Sequence, residues 1–218
     1  MMTGIALSNK SVMTERKTAR LEAFSDGIFS VAITLLAIEI GISEYHGATN
    51  LNLWHKILEK WPEYFTYFNS FATVLLIWIG HHKIINQIRA ASQWVLLLNG
   101  MVLLFVVLFP LTKTVGAFIG TNAVNTAVAF YAGYTGLIVL SMLLLNVGIV
   151  SNTKLLVSTE KSLHWFRKMI KGQLIGVMVY GIAALIAFYS PTVALLMTFA
   201  MWIFWAIVTF DTDEDNLL

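Results

Sequence analysis

The chain has 218 residues, of which 58% are hydrophobic and 12% are charged, and its formal net charge at pH 7 is +2. Soluble domains carry about 25% charged residues, so this composition excludes an ordinary soluble protein and indicates an integral membrane protein. The chain contains no cysteine, which excludes disulfide bonds and thiolate metal sites.

Apolar segments along the chain predict an all-α membrane protein, because a helix needs about 20 residues to cross the hydrocarbon core. We expect a single six-helix transmembrane domain over residues 1–218, with spans at residues 19–42, 64–82, 94–115, 123–150, 172–190 and 192–209. The last two spans are separated by little more than Ser190-Pro191. Since proline fits the first turn of a helix, we expect a tight hairpin there.

The connecting segments predict the orientation of the chain. Basic residues concentrate in the arm before the first span and in the connections after the second and fourth spans. Because basic loops stay in the cytoplasm, we expect both termini to be cytoplasmic. Residues 159–171 are basic and aromatic, which favours an interfacial helix whose side chains reach lipid headgroups.

The first span has charged residues in its first turns although it is otherwise apolar. Asp26 at membrane depth costs about 2.5–3.5 kcal/mol, so it needs a partner or a water-filled path. Counting by three and four places Val31, Leu35 and Ile38 on one stripe, with Thr34 at its margin. An apolar stripe alone is more often ordinary packing against lipid or another helix. The polar stripe beside it, which contains Asp26, indicates that the helix is surrounded by protein.

The second and third spans carry further polar residues at a similar depth. His81 and His82 are adjacent and therefore point about 100° apart on a helix, so they cannot easily bind one ion together. They either sense protons or, more commonly, serve as hydrogen-bonded partners at the membrane boundary. Trp78, one turn earlier, can donate its indole N–H inward. Asn99 in the third span is of the kind that bonds another helix, and we expect it to meet Asp26 and the histidines.

The end of the third span contains two further features. Pro110 is expected to kink the helix near its outer end. The following stretch, residues 114–118, is a degenerate form of the carbonyl filter sequence of ordinary potassium channels. It lacks the full motif and a separate pore helix, so we interpret it as the end of the span entering a loop.

Together these motifs resemble the signature of the transmembrane protein 175 family of potassium channels. The resemblance covers the first three spans, whereas the last three match only in number and character. The motifs that carry it are, in chain order, Arg20-x-x-x-Phe24-Ser25-Asp26, Tyr67-x-x-Ser70-Phe71, Trp78-x-x-His81-His82, and Leu98-Asn99 with the apolar run ending in Pro110.

The resemblance implies a six-helix subunit that assembles, in bacterial members, as a homotetramer around the first span. The pore then has no carbonyl filter, its narrowest ring falls on Val31, and further layers follow at Leu35 and Ile38. The family usually has Ile or Leu at the first layer, so the side chain here is smaller. Thr34 matches a threonine implicated in potassium preference. The resemblance also implies a structural network that holds the first span in place: Arg20, Phe24, Ser25, Asp26, Trp78, His81, His82 and Asn99.

We therefore expect a potassium-selective cation channel in a bacterial plasma membrane, and not an enzyme. Its partners would be potassium ions, the lipid bilayer and further copies of the chain, with no nucleic acid, no cofactor and no metal beyond the permeating ion. Glu39 near the outer mouth either attracts cations or is a solvated helix end. The alternative is a proton-coupled secondary cation transporter, for which no paired discontinuous helices or inverted repeats are evident. A third class is a membrane scaffold without a pore.

Overall fold

The computed structural model describes the backbone of residues 2–38 and 50–217. It describes side chains within 18–38 and 54–209, apart from those of residues 56, 62, 113 and 114. In these ranges the chain forms seven α-helices and two 3₁₀ segments. The helices are α1 (Met2–Ile38), α2 (Asn50–Glu59), α3 (Trp61–Asn86), α4 (Gln93–Val107), α5 (Val124–Val150), α6 (Thr159–Ile186) and α7 (Pro191–Leu217), and the 3₁₀ segments are Phe109–Phe118 and Thr153–Leu155.

Five helical stretches of the described chain are long and apolar enough to cross a membrane: Thr18–Ile38, Gln93–Phe118, Val124–Val150, Thr159–Ile186 and Pro191–Thr209. The sixth expected span, residues 64–82, lies within α3. This helix has 26 residues, which is long enough for a hydrocarbon core of about 30 Å. Its buried positions include polar side chains, at Thr66, Asn69, Ser70 and Thr73, so its composition alone does not mark it as a span. The six-span count therefore stays a prediction.

Helix α6 begins at Thr159 and not at residue 172, where the fifth span was predicted to start. The basic segment 159–171 is continuous with the apolar part because Lys, Arg and Met are good helix formers. The expected interfacial helix and the expected span are thus one helix. Helix α1 likewise starts at Met2, upstream of the predicted boundary.

The prediction of a kinked α-helix up to residue 115 was wrong. Helix α4 ends at Val107, and a 3₁₀ segment with Pro110 in its first turn continues to Phe118. Proline has no N–H to donate and its ring collides with the carbonyl four residues earlier, so the α-helical bonding stops here. Residues 114–118, which were interpreted as the end of the span entering a loop, belong to the same 3₁₀ segment.

The predicted hairpin between the last two helices is confirmed. Helix α6 ends at Ile186 and α7 begins at Pro191. The N–H groups of Tyr189 and Ser190 donate to the carbonyl of Ile186 at 2.9 and 2.8 Å. Pro191 thus takes the first helical position, where its missing N–H costs nothing.

Helix α5 is the centre of the bundle, and α1 lies at its side. Helix α5 packs against α4, α6, α7 and the 3₁₀ segment after α4, whereas α1 contacts α3, α4 and that 3₁₀ segment. The buried hydroxyls of Thr135 and Ser141 on α5 donate to carbonyls of their own helix, those of Tyr131 and Ile138. This bonding lets polar side chains sit inside an apolar bundle.

Gly176 on α6 sits where three helices meet. A Cβ atom at this position would lie 2.7 Å from Cζ2 of Trp205 on α7 and 3.2 Å from Cγ1 of Val139 on α5. An indole ring cannot move aside as the end of a flexible side chain can. The close approach of α7 to α6 therefore depends on glycine here.

We predict that Gly176→Ala destabilises the bundle, since overpacking costs about 1–3 kcal/mol. The measurement is the thermal midpoint of the detergent-solubilised protein. Gly181→Ala is the matched control on the same helix, because a Cβ there meets nothing within 4 Å. Equal midpoints for the two variants would contradict the packing argument.

Candidate functional site

Helix α1 buries one face in the bundle. The buried side chains recur every three or four residues, as one face of a helix requires, and they are Leu21, Ser25, Phe29, Ala32 and Leu36. This face packs on α3 and α4. The rotation of α1 about its axis is thereby fixed.

The other face of α1 is apolar and exposed. The exposed fractions are 46% for Val31, 38% for Leu35 and 74% for Ile38, and Thr34 is exposed between them. Large apolar side chains on one continuous face require a partner surface, lipid or a narrow passage. The described part of the chain leaves this face uncovered.

Thr34 is a polar residue on the exposed side of α1, one turn after the exposed Ser30. Its hydroxyl donates to the carbonyl of Val31 at 2.9 Å, so the proton is used inside the helix. A hydroxyl oxygen also has two acceptor lone pairs. These remain available on the exposed side, where they can interact with a cation or with water.

Asp26 has a partner on α3. The indole Nε1 of Trp78 donates to Oδ1 of Asp26 at 2.8 Å. A bond to a charged acceptor is about twice as strong as one between neutral groups. The Trp78 ring also lies against the ring of His82, with 5.8 Å between the centroids.

A buried chain of hydrogen bonds joins α1, α3 and α4. The amide Nδ2 of Asn99 donates to Oγ of Ser25 at 3.1 Å, and Ser25 Oγ donates to the carbonyl of Leu21 at 2.9 Å. Oδ1 of Asn99 lies 2.7 Å from Nε2 of His81. Since this amide oxygen can only accept, the imidazole nitrogen is the donor. The three side chains are at most 1% exposed, so the chain is shielded from water.

The two adjacent histidines take different partners, as their helical spacing requires. His82 points away from the buried chain, with Nδ1 3.0 Å from Oε1 of Glu22. Its Nε2 lies 3.1 Å from Nδ2 of Asn86. The His82 and Glu22 side chains are 41% and 31% exposed, so this contact forms a partly solvated link between α3 and α1.

The structure brings most of the predicted network together, but not all of it. Arg20 and Phe24 are exposed on α1, away from the buried chain. Glu39 lies outside the described residues. The sequence interpretation missed Glu22 as a partner of His82, although its position one turn before Asp26 on the same helix was a usable signal.

We predict that Asn99→Ala destabilises the protein by about 1–3 kcal/mol, because it leaves Nε2 of the buried His81 without its partner and removes the donor to Ser25 Oγ. Denaturation of the purified protein in detergent measures the effect. Asn86→Ala is the control: it removes a comparable amide next to His82, but at an exposed position. The importance of the buried chain would be refuted if the two variants had the same stability.

Comparison with known proteins gives consistent matches. Residues 20–110 match the family model described as the endosomal/lysosomal potassium channel TMEM175. A potassium channel of Chamaesiphon minutus is 32% identical over 120 residues, which are 55% of this chain and 59% of that protein. The endosomal/lysosomal proton channel TMEM175 of Bos taurus is 39% identical over 98 residues, which are 42% of this chain and 20% of that protein.

A solved structure matches a larger share of the chain. The crystal structure of a lysosomal potassium-selective channel TMEM175 homolog from Chamaesiphon minutus aligns with a TM-score of 0.78 and 26% identity, covering 89% of this chain and 98% of that one. The sequence matches are shorter, since the chain spans 59% of the length of the first curated relative and 20% of the bovine one.

Proposed function

We propose that the chain belongs to the transmembrane protein 175 family and is the subunit of a potassium-selective cation channel, because residues 20–110 match the family model and the fold matches that of a solved TMEM175 homolog. The proposal treats residues 1–218 as one six-helix transmembrane domain, with α3 as the second span. It places both termini in the cytoplasm and the protein in a bacterial plasma membrane.

The observation that carries the proposal is the uncovered face of α1. Val31, Leu35 and Ile38 are exposed on a helix whose opposite face is fixed in the bundle. Copies arranged around a rotation axis would each turn this face toward the axis, which is how cyclic oligomers use one surface patch repeatedly. A homotetramer is the assembly that we propose, in keeping with the family resemblance.

The pore of this assembly would be narrowed by apolar rings. Val31, Leu35 and Ile38 are one turn apart, so each would form a separate layer along the axis. A narrow apolar neck loses its water and stops hydrated ions until it widens. We infer that these rings form the gate and that permeation needs no resident cofactor.

Selectivity would depend on Thr34, which lies between the apolar rings on the same face. Its proton is used by the carbonyl of Val31, so its oxygen is free to accept. Oxygen ligands are what potassium prefers during partial loss of its hydration shell. Glu39, which lies outside the described residues, would attract cations near the outer mouth or be a solvated helix end.

We predict that Val31→Asn or Leu35→Asn raises cation flux, because a polar ring keeps the neck wet. The measurement is potassium flux in reconstituted liposomes. Ile203→Asn is the matched control, since Ile203 is 67% exposed but lies on α7. Unchanged flux in both α1 variants would argue against a pore lined by this face.

A second prediction concerns Thr34. Thr34→Ala should reduce the preference for potassium over sodium, whereas Thr34→Ser, which keeps the hydroxyl, should retain most of it. Reversal potentials under bi-ionic conditions give the permeability ratio for each variant. A ratio that is the same in Thr34→Ala and the unmodified channel would exclude Thr34 as a selectivity residue.

Proton permeation is the second candidate function, and it is favoured by the similarity to the bovine relative, which is an endosomal/lysosomal proton channel. Asp26, His81 and His82 are the groups that could carry protons in a coupled transporter. The same liposomes distinguish the candidates when they are loaded with a pH-sensitive dye. A potassium gradient that drives protons uphill would identify a coupled transporter, whereas flux of each ion down its own gradient would identify a channel.

A further inference from the structure

We propose that the chain has a binding site for an anionic phospholipid beside the start of α4. Its headgroup phosphate would be held by Arg89 and Lys154, and an acyl chain would lie along α4. The site is separate from the α1 face and does not depend on which ion permeates.

The headgroup site is built by two connections that are tied together. The segment between α3 and α4 pairs with the segment between α5 and α6: Arg89 N donates to the carbonyl of Leu155 at 2.9 Å, and Val157 N donates to that of Gln87 at 3.0 Å. Ile88 and Leu156 form an isolated antiparallel bridge between them. These bonds hold Arg89 and the turn that carries Lys154 side by side.

The Arg89 side chain is oriented by this turn. Its Nε donates to the carbonyl of Lys154 at 2.9 Å, while the guanidinium keeps further N–H groups, in a fork that fits phosphate oxygens. Both side chains are exposed. The two connections, residues 87–92 and 151–158, contain no acidic residue, so the cationic side chains of Arg89 and Lys154, two residues joined by the Arg89 Nε bond, have no counter-charge in either connection. An anion between them would relieve their repulsion.

The first turn of α4 adds to the positive potential. Ser92 is the N-cap residue, and its hydroxyl accepts from Val95 N at 3.2 Å. The N–H groups of the preceding residues in this turn have no carbonyl within the helix, so they favour an anion. This helix start is three residues from Arg89, on the same connection.

The part of α4 that follows this positively charged end is suited to contact with lipid. Trp94 is 60% exposed and packs beside Gly148, near the end of α5. Tryptophan favours the level of the headgroups. Above it on α4, an apolar strip continues with Leu97, Leu104 and Leu108, which are 63%, 56% and 42% exposed.

The cationic residues Arg89 and Lys154, together with the apolar strip on α4, indicate which ligand would bind here. A soluble phosphate would contact only the cationic residues. A second copy of the chain packed on α4 would contact only the apolar strip. A phospholipid with a net negative headgroup matches both parts. Such basic pockets beside membrane helices bind anionic headgroups in other proteins.

The test measures lipid binding to the purified protein in non-ionic detergent by native mass spectrometry. Phosphatidylglycerol should bind at least about fivefold more tightly than phosphatidylcholine, since each basic residue near a headgroup contributes roughly that factor. Lys154→Gln should weaken phosphatidylglycerol binding about fivefold and leave the Arg89 contact intact, because that contact uses the backbone carbonyl of Lys154. Arg89→Gln should weaken phosphatidylglycerol binding more than Lys154→Gln does.

The matched control is Lys171→Gln, which removes the same charge at another exposed position, on α6, and should weaken phosphatidylglycerol binding much less than Lys154→Gln does. Equal losses in Lys154→Gln and Lys171→Gln would reduce the effect to general attraction and overturn the site. Equal affinity of the unmodified protein for the two lipids would also overturn it. Complete competition by soluble glycerol phosphate would overturn the lipid site in favour of a site for a free anion. If the monomer binds the lipid and the oligomer does not, the α4 strip is instead covered by a second copy of the chain.

Discussion

The charge at Asp26 imposes the constraint on which the rest of the arrangement depends. A carboxylate on a membrane helix must be bonded inside the protein, because lipid offers no donors. The indole of Trp78 supplies that bond at 2.8 Å, and the buried chain through Ser25, Asn99 and His81 fixes the same helix at the residue before Asp26. With these bonds made on one side, α1 can leave its other side without protein contacts. The polar residues thus determine which apolar residues are exposed.

Helix α3 connects this anchored helix to the rest of the bundle. Near one end it carries Trp78 and His81, which hold α1. Nearer its start, Asn69 donates to the hydroxyl of Tyr131 on α5 at 2.7 Å, and Thr73 accepts from Trp202 Nε1 on α7 at 3.1 Å. Hydrogen bonds between helices are worth about 0.6–2 kcal/mol each in a membrane, and here they are grouped on one helix. A displacement of α3 would therefore also move α1. In this way α5 and α7 are connected through α3 to the exposed face of α1.

The sequence predicted the helical class, the hairpin at Pro191, the inward-donating indole of Trp78 and the meeting of His81 with Asn99. These features depend on local rules: apolar length, proline chemistry and helical periodicity. The sequence did not predict the end of the α-helix before Pro110 or the continuity of α6 through its basic segment. Both depend on whether the backbone hydrogen bonds of a helix continue past a proline or past a change in composition. Nor did it predict the pairing of Arg89 with the Lys154 turn, because their connections lie 65 residues apart and no periodicity links them.

In the proposed pore, the exposed face of α1 would combine two properties that are rarely compatible. Apolar side chains such as Val31 and Leu35 normally face lipid or a core, whereas an ion path must admit water at least transiently. A helix can present such residues to a central axis only if its other side is fixed strongly enough to prevent rotation toward lipid. Rotation by one residue position, about 100°, would require breaking the bonds at Asp26 and Ser25 together. The cost of leaving the partly buried Asp26 and the buried Ser25 unpaired is what keeps Val31, Thr34 and Leu35 on the outward face.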